Sequence, residues 1–197
     1  MSATVLTSQL FRPGHRAADA LRPIRLTPHY VAMPEGSVLI ESGNTRVLCN
    51  ATIEQGVPGW LRNSGRGWVT AEYGMLPRAT LTRTAAITGA CVALALALGK
   101  LVTAGTLKTS PLKQMVAATS VGIVDGNILL DLCYEEDSRA AVDMNVVMLA
   151  DGGLVETQAT AEHDSYTRAQ LGQMLDYAEK GIRELLAAQQ QTLASAQ

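Results

Sequence analysis

A chain of 197 residues with 47% apolar and 17% charged residues has enough apolar material for one substantial core or two small lobes, and too little charge to be a disordered polymer. One Phe, two Trp and five Tyr leave that core to Val, Leu, Ile and Ala. The net charge of −2 excludes little, but its halves differ: residues 1–100 carry ten Lys/Arg against five Asp/Glu, and residues 101–197 carry six against thirteen. Nine of the ten basic residues in the first half are arginines, the side chain suited to bidentate phosphate contact. Either an anionic polymer lies on one face with acid or metal chemistry on the other, or the halves are two unrelated surface biases.

In chain order, residues 1–20 are polar and read as a mobile arm with no apolar signal core. "IRLTPHYV" (24–31) reads as a strand, and residues 37–54 as a hairpin around Ser42-Gly43-Asn44. Residues 55–67 form a loop rich in Gly, Pro and Asn that carries Arg62 and Arg66, and "WVTAEYGML" (68–76) reads as a further strand ending at Pro77. From Thr84 to Val102 apolar residues recur at helical spacing. "AAITGACVALALALG" within it is shorter than a membrane span and fits a buried helix. After a connector, residues 115–136 read as a hairpin around Asp125-Gly126, and residues 144–162 as another around Asp151-Gly152-Gly153. Residues 167–194 form an amphipathic helix capped by Thr167, with Leu171, Met174, Leu175, Ala178, Ile182 and Leu186 on one face; the final "AAQQQTLASAQ" is expected to fray. Strand runs with covering helices imply an α+β layered fold in a single domain. Cys49, Cys91 and Cys133 are odd in number, far apart and without a CxxC, which fits reduced thiols in a cytoplasmic protein.

Three features carry chemistry. The first is "YEEDSRAAVDMNVVML" (134–149), where Asp137 and Asp143 stand in a short link between two strands near one sheet edge. Two close carboxylates can share Mg²⁺, or one can take a raised pKa and act as an acid; solvated loop acids are the plainer reading. The second is Arg62, Arg66, Arg78 and Arg83, on loops or strand ends where phosphate or RNA backbone would be met, or where surface ion pairs would form. Aromatics for base stacking are few, and no P-loop is present. The third is "TAAITG" (84–89), whose helix start either offers free N–H groups to an anion or is simply capped by Thr84.

Together these stretches resemble ribonuclease PH, a phosphate-dependent exoribonuclease family that trims tRNA precursors at their 3′ ends. "TAEYGMLPR" (70–78) and the EDSxAxxDMNVVM pattern (136–148) are highly specific, "TAAITGACVALALAL" matches as well, and the resemblance runs from about Arg12 to the last helix. It implies the ribonuclease PH-type fold (ribosomal protein S5 domain 2-like), with mixed sheets and covering helices. Asp137 and Asp143 become the essential carboxylates, holding a divalent metal such as Mg²⁺ or supplying a proton. Glu135 and Glu136 fall back to solvated or secondary roles. Thr82, Arg83 and Thr84 would bind inorganic phosphate, the co-substrate, and Arg62, Arg66, Arg78 and Arg83 would follow the RNA. The implied partners are tRNA precursors and other RNA 3′ ends, with a homo-hexamer built as a trimer of dimers and no membrane.

The pattern departs from the family at one seam. Relatives separate "LPRSTxxR" from "TRTASITGA" by enough chain for a helix and a strand, including a GGRT motif with the principal phosphate-binding arginine. Here "LPRATLTR" runs directly into "TAAITGA", so the first half is incomplete and Leu81 stands where the family has glycine before Thr82-Arg83. The rival expectation is therefore a catalytically impaired, RNA-binding or structural ring subunit.

Overall fold

The protein is described from a computed structural model, which covers residues 12–75, 82–162 and 165–196. A first sheet contains β1 (Ile24–Pro28), β2 (Gly36–Ser42) and β3 (Thr45–Ala51) in that spatial order. Helix α1 (Arg83–Thr103) follows. The second sheet is built from β4 (Val116–Val124), β5 (Asn127–Leu130), β6 (Val142–Leu149) and β7 (Leu154–Ala161), ordered β5-β4-β6-β7. A single helical turn, α2 (Tyr134–Asp137), precedes β6, and α3 (Arg168–Ser195) closes the chain. Every described strand pairing is antiparallel, so the α+β class stands and the expected mixed sheets are uniformly antiparallel.

Turn chemistry explains the hairpins. Asp125 and Gly126 both take positive φ, 49° and 76°, as a two-residue turn of type I′ requires. Gly43 opens the β2–β3 turn at φ 56°.

The layers follow from the apolar pattern. One face of the second sheet packs Ala117, Val121, Ile123, Val142, Met144, Val146 and Met148 against Met174, Ala178, Ile182, Leu185 and Leu186 of α3. The opposite face meets α1: Thr88 Oγ1 accepts from Ala118 N at 3.1 Å. The other side of α1 packs Ala85, Val92 and Ala93 against Val38, Ile40 and Cys49 of the first sheet. That approach is close enough that a Cβ on Gly36 would overlap the Ala93 carbonyl. By length and hydropathy α1 passes as a membrane span, yet it lies between two sheets as a core helix does.

Several expectations need correction. Residues 68–75 form no strand and pair with no neighbour; Trp68, Val69, Tyr73 and Met75 are exposed. Their alternation suits a strand, but a strand needs a partner ladder, and no described strand supplies one; Leu76, the last residue of the expected strand, lies outside the described residues. Residues 12–20 are not a loose arm, since Arg12 is fully buried; residues 1–11 lie outside the described part. Residues 134–136 belong to α2 rather than to the β4–β5 hairpin. Helix α1 starts one residue before the expected Thr84, behind Thr82, and no side chain caps it. Thr167 does cap α3, accepting from Gln170 N at 3.2 Å. The end of α3 does not fray before Ser195: buried Gln189 donates to Thr88 O and Val116 O, each at 2.9 Å, tying the last turns to α1 and β4.

Candidate active site

Asp143 is the second residue of β6 and sits on the face turned away from α3, opposite Gly122 of β4. β6 is an interior strand, so the aspartate lies within the sheet and not at its edge. A side chain at position 122 would meet the Val142 carbonyl at 2.5 Å and Leu132 Cδ1 at 2.6 Å; glycine is what lets the chain close behind the acid. Asp137 ends α2, and with Ser138, Ala140, Asp143 and Glu162 it lines an open cleft of about 290 Å³. Glu162, just past β7, is the acid that sequence reasoning did not find. Its backbone N–H donates to Ala141 O at 2.9 Å, which sets it beside the β6 start.

No cation neutralises this trio among the described residues. Asp143 Oδ1 is buried with no hydrogen-bond partner, and Oδ2 receives a long 3.4 Å contact from Asn145. Burial, then the neighbouring Asp137 and Glu162 carboxylates, push Asp143 up to about 6. Burial first and Glu162 second also raise Asp137. The described residues hold no group of three His, Cys, Asp or Glu side chains in a metal-binding arrangement. Two carboxylates with an orphaned oxygen nevertheless fit Mg²⁺, which takes oxygen donors, binds through one or two carboxylates and keeps several waters.

One residue before Asp137, the electrostatics reverse. Glu136, expected in a solvated or secondary role, is buried, and Arg12 grips it through Nε (2.7 Å) and Nη2 (3.0 Å). Arg12 spends its remaining N–H groups on the carbonyls of Ala17, Ala18 and Leu130, so the whole guanidinium fork is satisfied. Arg16 adds a contact to Glu136 Oε2 at 3.1 Å. Burial alone would raise the Glu136 carboxyl, but Arg12, the Cys133 N–H and Arg16 bring it below its ordinary value. Asp131 receives Arg22 through Nε and Nη2, at 2.9 and 2.6 Å. Three arginines from the first residues of the fold therefore clamp the turn that presents Asp137.

The expected phosphate residues separate. Arg83 begins α1 and donates to Glu156 Oε2 on β7 at 2.8 Å. The Thr82 hydroxyl touches that of Tyr73. Thr84 lines a small interior cavity with Arg22, Thr88 and Asp131, away from the carboxylate cleft. Arg62 and Arg66 are exposed on the loop before residue 68, and Arg78 lies outside the described residues. Both of the chain's tryptophans flank Arg62 and Arg66, one on each side. Trp60 and Trp68 are 72% and 53% exposed, with rings 5.9 Å apart in an edge-to-face contact. Together the two indoles form a small exposed apolar patch.

Two antiparallel sheets around a core helix, with a carboxylate pair between the end of α2 and the start of β6, describe the fold and its cleft. Residues 20–85 match the 3′ exoribonuclease family, domain 1, and residues 114–181 match domain 2 of the same family. These matches span more than half of the chain, which therefore belongs to the RNase PH-type 3′ exoribonuclease family. Among solved structures the chain resembles that of rice (Oryza sativa) Rrp46, at 16% identity and TM-score 0.70, over 93% of this chain and 100% of that one. It also resembles a chain of an archaeal exosome core, at 16% identity and TM-score 0.65, with 89% of each chain covered. At such identities the likeness is one of fold. The domain 1 match ends at Ala85, in the first turn of α1 and next to the seam.

Proposed function

We propose that the protein is a phosphate-dependent 3′→5′ exoribonuclease that trims the 3′ ends of tRNA precursors and releases nucleoside diphosphates. The observation that carries this reading is the cleft that Asp137, Asp143 and Glu162 line together, with Asp143 Oδ1 buried and unpartnered. In the reaction an oxygen of inorganic phosphate bonds to the terminal phosphorus, the bond from phosphorus to the preceding 3′ oxygen breaks, and that oxygen takes a proton. Asp137 and Asp143 are the residues that would hold Mg²⁺. Bound there, the cation would offset charge on the phosphodiester. Without the cation, Asp143, the more strongly shifted of the two, would instead retain a proton fraction near neutrality and give it to the leaving 3′ oxygen. Arg83 and the uncapped N–H groups at the start of α1 supply anion donors for phosphate, with Thr82 beside them. Arg62, Arg66 and Arg78 meet the RNA backbone, and Trp60 and Trp68 offer stacking faces to its bases. Assembly as a homo-hexameric ring in the cytoplasm belongs to the same reading.

A specific observation favours a second reading, a ring subunit that binds RNA but turns over poorly. Arg83 is occupied by Glu156, and the exposed Trp68, Val69, Tyr73 and Met75 stand shortly before the seam at Arg83-Thr84 where the family's phosphate-binding segment is missing. One assay separates them. The protein is incubated with a 3′-extended tRNA and Mg²⁺, with and without phosphate. Phosphate-dependent nucleoside diphosphates support the enzyme. Intact RNA with binding retained supports the impaired subunit, and nucleoside monophosphates would show hydrolysis and defeat the mechanism.

A further inference from the structure

The face of the second sheet that carries Asp143 continues as a polar strip. The β6–β7 register sets Thr160 opposite Asp143, Gln158 opposite Asn145 and Glu156 opposite Val147. Directly opposed residues of an antiparallel pair share a face, so Thr160, Gln158 and Glu156 form one row beside the aspartate. Four residues at ~3.4 Å each put about 13 Å of strand between Thr160 and Glu156. Arg83 is held at the far end of that row, by Glu156, at 2.8 Å. Phosphate seated where the Glu156 carboxylate now meets Arg83 would lie at the far end of the row from the aspartates, whereas its attacking oxygen must come within ~3–3.5 Å of the phosphorus held beside them. Carboxylate and phosphate use the same guanidinium donors, so the two compete for Arg83 directly. The first turn of α1 contains no acid of its own, which leaves Glu156 as the acid paired with Arg83 among the described residues.

We infer that Glu156 is a resident competitor in the phosphate subsite: it parks Arg83 away from the aspartates, and inorganic phosphate must displace it before Arg83 can turn toward the cleft. This rests on the assignment of Arg83 to phosphate. The side chains of Arg83 and Glu156 are 47% and 37% exposed, so their pairing is weak enough for a dianion to replace. Exposed pairs of this kind correspond to a factor of about 1.4–5 in an equilibrium constant, and the gain on removing Glu156 is set by that factor.

The test is a titration of inorganic phosphate at fixed ionic strength, followed by amide shifts in the first turn of α1. It uses the full chain and its Glu156→Gln, Arg83→Ala and Asp176→Asn variants, each checked for an unchanged fold by its overall amide spectrum. Asp176 is exposed on α3, across the sheet, and controls for the same change in net charge. Glu156→Gln is expected to bind phosphate about two- to five-fold more tightly than the wild type, with Asp176→Asn unchanged and Arg83→Ala weakened. Equal or weaker binding by Glu156→Gln, with Arg83→Ala still weakened, overturns the competitor and leaves the phosphate site standing. Equal tightening by Asp176→Asn reduces the effect to net charge and also overturns it. No loss in Arg83→Ala, or no binding by any form, removes the phosphate assignment itself.

Discussion

Glu136 and Asp137 are neighbours on one helical turn and live under opposite electrostatics. Glu136 points inward, where Arg12 and Arg16 satisfy both of its oxygens. Asp137 points into a cleft shared with Asp143 and Glu162, where acids face acids. A folded chain ordinarily pairs its buried charges or neutralises them. This one does so at position 136 and leaves a buried carboxylate oxygen orphaned at position 143. The paired acids hold the architecture, and the unpaired acids are free to meet a cation, a proton or a substrate.

Breaking the paired cluster should have the largest effect. Arg12→Met leaves buried Glu136 with Arg16 and the Cys133 N–H only, its Oε1 unpaired, and is expected to cost about 3–5 kcal/mol. In a chain of this size that lowers the midpoint by about 6–20 °C in a thermal melt. An unchanged melt would mean that the clamp contributes nothing.

Relieving the unpaired cluster should do the reverse. In the folded state Asp143 titrates at about 6, against 3.8 ordinarily, so folding binds a proton between those values. Its contribution to stability is fully present below pH 3.8 and is lost as pH rises through 6. Asp143→Asn should therefore stabilise the metal-free protein at pH 7.5, by up to about 3 kcal/mol, and progressively less toward pH 4. Urea melts at the two pH values measure this, and the same variant should lose phosphorolysis by about a hundred-fold or more.

How far the sequence shows this contrast depends on the range over which each residue acts. The turns at Asp125-Gly126 and Asp151-Gly152-Gly153, the cap at Thr167 and the apolar face of α3 are local, and all appear as expected. Asp137 and Asp143 are six positions apart and do share a cleft. Glu162 was not legible, because only the β6–β7 pairing brings it to them. Of the two roles open to Glu136, solvated or secondary, the structure leaves the second, and its partner Arg12 was not legible because it lies 124 residues away, in a stretch whose polarity suggested an arm. The run 68–76 misled in the other direction, since alternation is a local property whereas strand pairing needs a neighbour.

The loop of residues 59–68, which the proposed function sets against RNA, gives the smallest expected effects. Trp60→Ala should weaken binding of single-stranded RNA by about 1–3 kcal/mol if its ring stacks a base. Arg62→Ala should flatten the salt dependence of binding by about one unit of slope. Fluorescence anisotropy across a salt series reads both, and unchanged values would remove this loop from the RNA path.

The contrast between the two acid clusters is tested most directly by following the Asp143 and Glu136 carboxyl carbons in an NMR pH titration, with and without Mg²⁺. The account predicts that Asp143 titrates at about 6 without metal and moves lower when Mg²⁺ is added, while Glu136 titrates below its ordinary value in both cases. An Asp143 carboxyl that titrates at its ordinary 3.8 and ignores Mg²⁺ would contradict it.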